Sequence, residues 1–367
     1  MSNLKIVISG CLFVLINVIA SSAQTRKEIS IPNIPGYYTL KCDFQMHSIF
    51  SDGEVWPTVR VQEAWREGLD VIAITDPIGY HPHNKDVNED NNRSYEIARP
   101  LAEQTGIILI RGAEIYKQMP PGNLSLLFIK NANLLRRENL SEFCEEVKDQ
   151  GAFLFLSNPE EQMSPTWFPE QIRLLDNGIL KGVEVYKHDR YFSIARKMAK
   201  EKNLTILAGS NIIGPSGLEF SEGHRPITLV FATGKSESAV KEALLKQRTA
   251  IYFGDTIMGN EKFIVPVFKN SIEIINNSIK LEDQGIKQIR INNKSDIPFY
   301  LHRRQPSVGF SCPEDIILKP HSTAAVELYG LSGELKEIPV LKLFYVVKNI
   351  LTMNGKELPV DLVIPNE

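Results

Sequence analysis

Short apolar runs alternate with amphipathic stretches from about residue 38 to residue 254. The runs at 71–74, 107–110, 124–129, 153–156, 183–185, 204–207, 227–231 and 251–253 read as buried strands. Helical patterns fall between several of them. One over 59–67 stops at Gly68, one over 140–148 stops before Gly151, and one over 194–202 stops at Asn203. Gly and Asn suit the left-handed residue that ends a helix. Such alternation over more than 200 residues predicts a parallel α/β fold, and the strand number favours a barrel. After Gly254 the pattern changes. Over 263–367 no long helix is expected. The stretches 271–279, 287–291, 324–328 and 339–347 are β-rich with Asn, Gly and Pro between them, which predicts a small antiparallel β domain.

The N-terminus stands apart from this pattern. Lys5 precedes an almost wholly apolar run over 6–20, and Ala20-Ser21-Ser22-Ala23 offers small residues for cleavage. This is the layout of a secretory signal peptide over 1–23, so a periplasmic or extracellular location is expected. Lipidation at Cys11 is disfavoured because the apolar run continues beyond it. No later apolar run is long enough to predict a span in the mature chain.

The 367 residues carry 41 Lys+Arg and 44 Asp+Glu, a net charge of -3 that gives no sign of a nucleic-acid partner. Apolar residues at 43% and charged residues at 23% exclude a disordered, collagen-like or coiled-coil chain. Cys42, Cys144 and Cys312 remain after cleavage; three widely spaced cysteines make no disulfide framework, and buried free thiols are expected. No Gly-rich phosphate loop or GxSxG elbow is present.

Candidate chemistry begins on the first strand. In Lys41-Cys42-Asp43-Phe44-Gln45-Met46-His47-Ser48, alternation puts Cys42, Phe44 and Met46 on one face and Asp43, Gln45 and His47 on the other. A polar face on a buried strand is costly unless it lines a site. Ser51-Asp52-Gly53 follows at the strand's C-terminal end, where barrels build their sites.

The segment Asp43-Phe44-Gln45-Met46-His47-Ser48-Ile49-Phe50-Ser51-Asp52-Gly53 resembles the opening motif of PHP-domain (polymerase and histidinol phosphatase) metallo-phosphoesterases. The resemblance continues in order through Thr75-Asp76-Pro77, Gly112-Ala113-Glu114, Pro120-Pro121-Gly122-Asn123, Ser157-Asn158-Pro159 and Gly209-Ser210-Asn211-Ile212-Ile213. Tyr80-His81-Pro82-His83, Asn92-Arg93-Ser94-Tyr95 and His224-Arg225-Pro226 look like secreted bacterial members with a β-rich C-terminal extension. The resemblance implies a distorted (β/α)7 TIM-like barrel that holds up to three metal ions for phosphoester hydrolysis. Of its nine ligand positions, His47, Asp52 and Glu114 match. Gln45, Pro77, Asn123, Asn158, Asn211 and Ile213 stand at the others.

These replacements share a direction. Asn211 keeps the shape of Asp without its charge, and Gln45, Asn123 and Asn158 form hydrogen bonds but do not match imidazole as metal ligands. Carried over from the family, no ion keeps more than two of its protein ligands. A polar pocket with Asp43, Gln45, Asp76, Asn123, Asn158 and Asn211 is therefore expected, with no cofactor, or with one divalent ion (Zn, Mn or Fe) if the chain is active. Each candidate has a structural alternative. His47 and Glu114 could be hydrogen-bonded remnants, and Asp52 and Asp76 turn residues. His81 and His83 could be solvated loop residues. The anion-binding candidates Arg93 and Arg111, with His83, could instead sit in salt bridges or solvent.

Three functions follow as expectations. The first is an exported PHP-like pseudoenzyme that binds an unidentified small molecule, phosphorylated or not. The second is a phosphoesterase with a reduced, mononuclear centre. The third is carbohydrate or partner binding by 263–367.

Overall fold

The computed structural model describes residues 25–367 except 118–119, 138, 158, 160–166, 222, 276–277, 332–334 and 336–337. The signal-peptide reading over 1–23, Cys11 and the pocket candidate Asn158 lie outside the described residues.

The first part of the chain alternates strands and helices. In order these are β1 (Tyr38–Met46), α1 (Pro57–Arg66), β2 (Val71–Ile74), α2 (Arg93–Thr105), β3 (Ile108–Ile115), β4 (Leu124–Leu127) and α3 (Leu140–Gln150). There follow β5 (Phe153–Leu156), α4 (Pro169–Asp176), β6 (Leu180–Lys187), β7 (Arg190–Tyr191), α5 (Ser193–Lys202), β8 (Thr205–Gly209), α6 (Ser216–Glu219), β9 (Ile227–Ala232), α7 (Glu237–Leu245), β10 (Thr249–Phe253) and β11 (Thr256–Gly259). Helix ends follow the sequence signals: Gly151 and Asn203 adopt φ of 63° and 54° as caps of α3 and α5.

Neighbouring strands run β1-β2-β3-β4-β5-β6, and β8 lies on the far side of β6. A parallel bridge between Met46, the last residue of β1, and Ile212, just past β8, closes the ring. The result is a distorted α/β barrel, as expected, but it is not uniformly parallel. Strand β4 runs antiparallel to both β3 and β5, and β9 runs antiparallel to β1. Apolar runs of equal length carry no direction, so the sequence pattern predicted parallel strands throughout. Where β8 meets β9 and β10, threonine hydroxyls replace the backbone ladder. Thr228 Oγ1 accepts from Ala208 N–H and donates to its carbonyl, both at 2.9 Å, and Thr249 Oγ1 donates to Ile206 O at 2.9 Å.

The C-terminal part corrects one expectation. Residues 261–271 form helix α8 (Glu261–Ser271), which buries Phe263, Ile264, Val267 and Phe268 and is capped by Asn260, whose side chain accepts from Lys262 N–H. Pro266 and three β-branched residues within it hide the helical pattern, so no long helix was expected from 263 onward. Beyond it, β12 (Ile272–Ile274), β13 (Ile286–Asn293), β14 (Phe299–Arg303), β15 (Phe310–Ser311), β16 (Asp315–Leu318), β17 (Ser322–Gly330), β18 (Val340–Thr352) and β19 (Glu357–Pro365) follow. One sheet is β12-β13-β17-β15, and the other carries β16-β14-β18 with β19 on β18; every pairing within the two is antiparallel. Strand β11 then pairs with both β10 and β18, so barrel and β domain share one continuous sheet. Cys42, Cys144 and Cys312 are buried free thiols. No helix among the described residues is long and apolar enough to cross a membrane.

Candidate functional site

Strand β1 carries the site. Asp43, Gln45 and His47 all lie on its inward face and are fully buried, as the alternation requires. At the C-terminal end, His47 sits between two carboxylates. Its Nδ1 lies 2.7 Å from Asp52 Oδ1 and its Nε2 lies 3.1 Å from Glu114 Oε2. Burial pulls the imidazole pKa down, but the two carboxylates outweigh it and raise it from 6.5 to about 9. With both ring nitrogens facing acceptors, the doubly protonated imidazolium is the form this geometry selects. Burial opposes ionisation of the carboxylates in turn, yet the bond to His47 brings Asp52 down to about 2 and lowers Glu114 as well.

Backbone geometry fixes this contact. A Cβ on Gly53 would stand 2.5 Å from the backbone of His47 and Ser48, so glycine lets the loop fold back and places Asp52 beside the ring. Glu114, on β3, also accepts from Ser157 Oγ at 2.7 Å and from Gln45 Nε2 at 3.3 Å. Tyr116 Oη donates to Asp52 Oδ2 at 3.2 Å.

The other candidates separate into groups. Asp76 holds the loop after β1: it accepts from Ser48 N–H and Ser48 Oγ, both at 2.7 Å, and from Ser51 Oγ at 2.6 Å. Asp43 belongs to a deeper network with Ser210 and Arg225, and Arg225 Nη1 stands 3.0 Å from Asp43 Oδ2. Asn123 accepts from Lys117 N–H. Asn211 lies at positive φ, 50°, beside Lys187 and Ile213 in a cleft of about 650 Å³ at the barrel mouth. The anion candidates do not converge there. Arg93 pairs with Glu96 at 3.1 Å, Arg111 stacks on Tyr95 at 4.4 Å and donates to Lys130 O, and His83 is exposed in a turn. His81, named with it, donates through Nδ1 to the Phe50 carbonyl, 3.1 Å away.

The sequence reading assigned no role to two buried arginines, Arg60 and Arg225, the latter noted only within His224-Arg225-Pro226. Arg60 on α1 donates to the carbonyls of His47, Ile212, Ile213 and Gly214 and pairs with Glu63, so it rivets the seam where β1 and β8 meet. Its signal was present: it lies one turn from Ala64 and beside Val61 on the helix's apolar face. The motif around Arg225 did not announce its pairing, because its partners Asp43 and Glu67 are 182 and 158 residues away.

The donor chemistry does not fit a multinuclear metal centre. His47 has both nitrogens committed to carboxylates, Asp76 is tied to Ser48 and Ser51, and neutral side chains fill the other described ligand positions. Among the described residues no group of three His, Cys, Asp or Glu is disposed to hold an ion.

A family model described as an Ig-like domain matches residues 272–363. Across both parts, the chain is similar to the crystal structure of a two-domain protein containing a predicted PHP-like metal-dependent phosphoesterase from Bacteroides vulgatus. The two are 35% identical with a TM-score of 0.86, covering 94% of this chain and all of that one. A structure of an amidohydrolase from Chromobacterium violaceum, with bound sulfate and no metal, is 14% identical with a TM-score of 0.37, covering 47% of this chain and 88% of that one. No curated protein matches the chain.

Proposed function

The chain belongs to the family of two-domain PHP-like phosphoesterase proteins, and from that premise we propose that it is an exported member whose barrel mouth binds a small molecule without multinuclear metal-dependent hydrolysis. The observation that carries this reading is the closed Asp52–His47–Glu114 triad. Hydrolysis by the metal route needs an ion with an open position to lower the pKa of a water and to balance charge building on the phosphoryl oxygens. Here the charge between the two carboxylates is the imidazolium itself, Gln45 donates its amide to Glu114, and Asn123 and Asn211 stand where the family has charged or imidazole ligands. The Lys5 charge, the apolar run over 6–20 and the small residues at 20–23 support export.

The retention of His47, Asp52 and Glu114 at the family's ligand positions supports one second reading, a phosphoesterase in which His47 and Glu114 hold a single divalent ion in place of the proton between them. Metal analysis separates the two. Protein purified without chelators is measured for Zn, Mn and Fe and assayed on bis(p-nitrophenyl) phosphate. Substoichiometric metal and no turnover above that of His47→Ala are expected. Two or three ions per chain, with turnover abolished by His47→Ala, defeat the first reading. One ion, with activity lost to a chelator and in Glu114→Gln, establishes the second.

A further inference from the structure

Five aromatic rings of the barrel are more than a third exposed: Tyr38, Trp56, Tyr80, Tyr116 and Tyr191. Four of them follow the C-terminal ends of β1, β2, β3 and β6, the strand ends that carry His47, while Tyr38 opens β1 at the opposite end; Trp56 packs on Phe50 and Tyr191 on Phe253, which leaves Tyr80 and Tyr116 beside the triad. Exposed rings grouped around a concave polar site mark a surface that meets a ligand. Tyr80 and Tyr116 lie side by side, with ring centroids 6.2 Å apart. The Tyr116 hydroxyl reaches Asp52, so this pair borders the triad directly.

We infer that the mouth binds a neutral saccharide, with the C–H face of a sugar ring on Tyr80 and Tyr116 and its hydroxyls toward the amides and carboxylates within. This inference rests on the pocket-binding reading above and names its ligand class. Each sugar hydroxyl both donates and accepts. Amides do the same, and carboxylates accept, so the partly exposed Asn123, Asn211 and Asp52 match hydroxyls better than they match phosphate. Charge is balanced there. His47 stands between Asp52 and Glu114, and in the cleft beside Asn211 the cations Lys187 and Arg190 are matched by Asp189 and Glu219. The cleft of about 650 Å³ beside Asn211 extends the site and falls within the usual range for small-ligand pockets.

The purified full chain is applied to an array of neutral oligosaccharides of four to eight units, and the strongest binder is titrated calorimetrically with and without EDTA. Tyr80→Ala/Tyr116→Ala is expected to weaken binding at least tenfold, Tyr116→Phe to stay within threefold, and Tyr38→Ala to change nothing. Absence of binding across the array, or a double variant that binds like the parent, overturns the inference. Loss of binding in EDTA would instead defeat the metal-independent reading, while the tyrosine variants still judge the aromatic rim.

Discussion

Two buried cations lie along the polar face of β1 in nearly the same setting. Deep in the barrel, Arg225 is 1% exposed between Asp43 at 0% and Glu67 at 30%. At the mouth, His47 is 1% exposed between Glu114 at 0% and Asp52 at 26%. Burial penalises both cations, and in both cases the paired carboxylates win, so each is held charged. The difference lies in the proton. A guanidinium does not give one up in the physiological range, whereas an imidazolium does. The deep triad is therefore a fixed fastener between β1, the end of α1 and the segment entering β9. The mouth triad has the same shape but is held together by a removable charge, at the place where the family's ligand positions lie.

The largest effect tests the deep triad. Arg225→Met removes the charge that holds Asp43, leaving a fully buried carboxylate with Ser210 as its remaining side-chain donor. Breaking one side of a buried pair costs about 3–5 kcal/mol. Urea unfolding at pH 7 should show a loss of that order. A loss below about 1 kcal/mol would mean that water reaches Asp43, and the parallel between the triads would fail.

The mouth triad predicts a pH dependence that the deep one lacks. The folded His47 pKa, about 9, lies above its usual 6.5. Its contribution is therefore complete below about pH 6.5 and is lost as pH rises through 9. The loss across that window is on the order of 2–3 kcal/mol. Asp52, at about 2, gives the acid counterpart: its contribution holds above the usual 3.8 and is lost as pH falls towards 2. Unfolding midpoints measured from pH 6 to 10 should decline, and His47→Gln should flatten the decline. An unchanged slope in that variant would show that the imidazolium is not the titrating centre.

The two triads were also unequally legible in the sequence. His47, Asp52 and Gln45 lie within eight residues of one another, and strand alternation together with a loop glycine places them at one strand end. Glu114 entered through its motif, and the structure brings it to His47. Arg225 and Glu67 meet Asp43 only through the folded chain, so no local period announces them. The strand runs were legible for the same reason that β4's direction was not: burial sets where an apolar run falls but not which way it points. Helix α8 was not expected because Pro266 and its β-branched neighbours hide the helical pattern. Arg93 and Arg111, read as anion contacts or salt bridges, take local partners in Glu96 and Tyr95, at i+3 in α2 and across to β3. Tyr116, which caps the mouth triad, gave no sequence signal beyond following Glu114-Ile115.

The smallest predicted effect sharpens the comparison at the solvent-facing arm. Tyr116 Oη donates to Asp52 Oδ2 at 3.2 Å, a bond that favours the charged carboxylate. Tyr116→Phe deletes the donor and keeps the ring. Asp52 retains His47, and because it is about a quarter exposed, water can replace the lost hydroxyl. The net cost of such an exchange is about 0.5–1 kcal/mol, well under that expected for Arg225→Met. Urea unfolding at pH 7 measures it, and the alkaline slope assigned to His47 should persist in the variant. A loss above about 2 kcal/mol would place Asp52 in a drier site than its exposure indicates. The mouth triad would then be as closed to water as the deep one, and its proton correspondingly harder to remove.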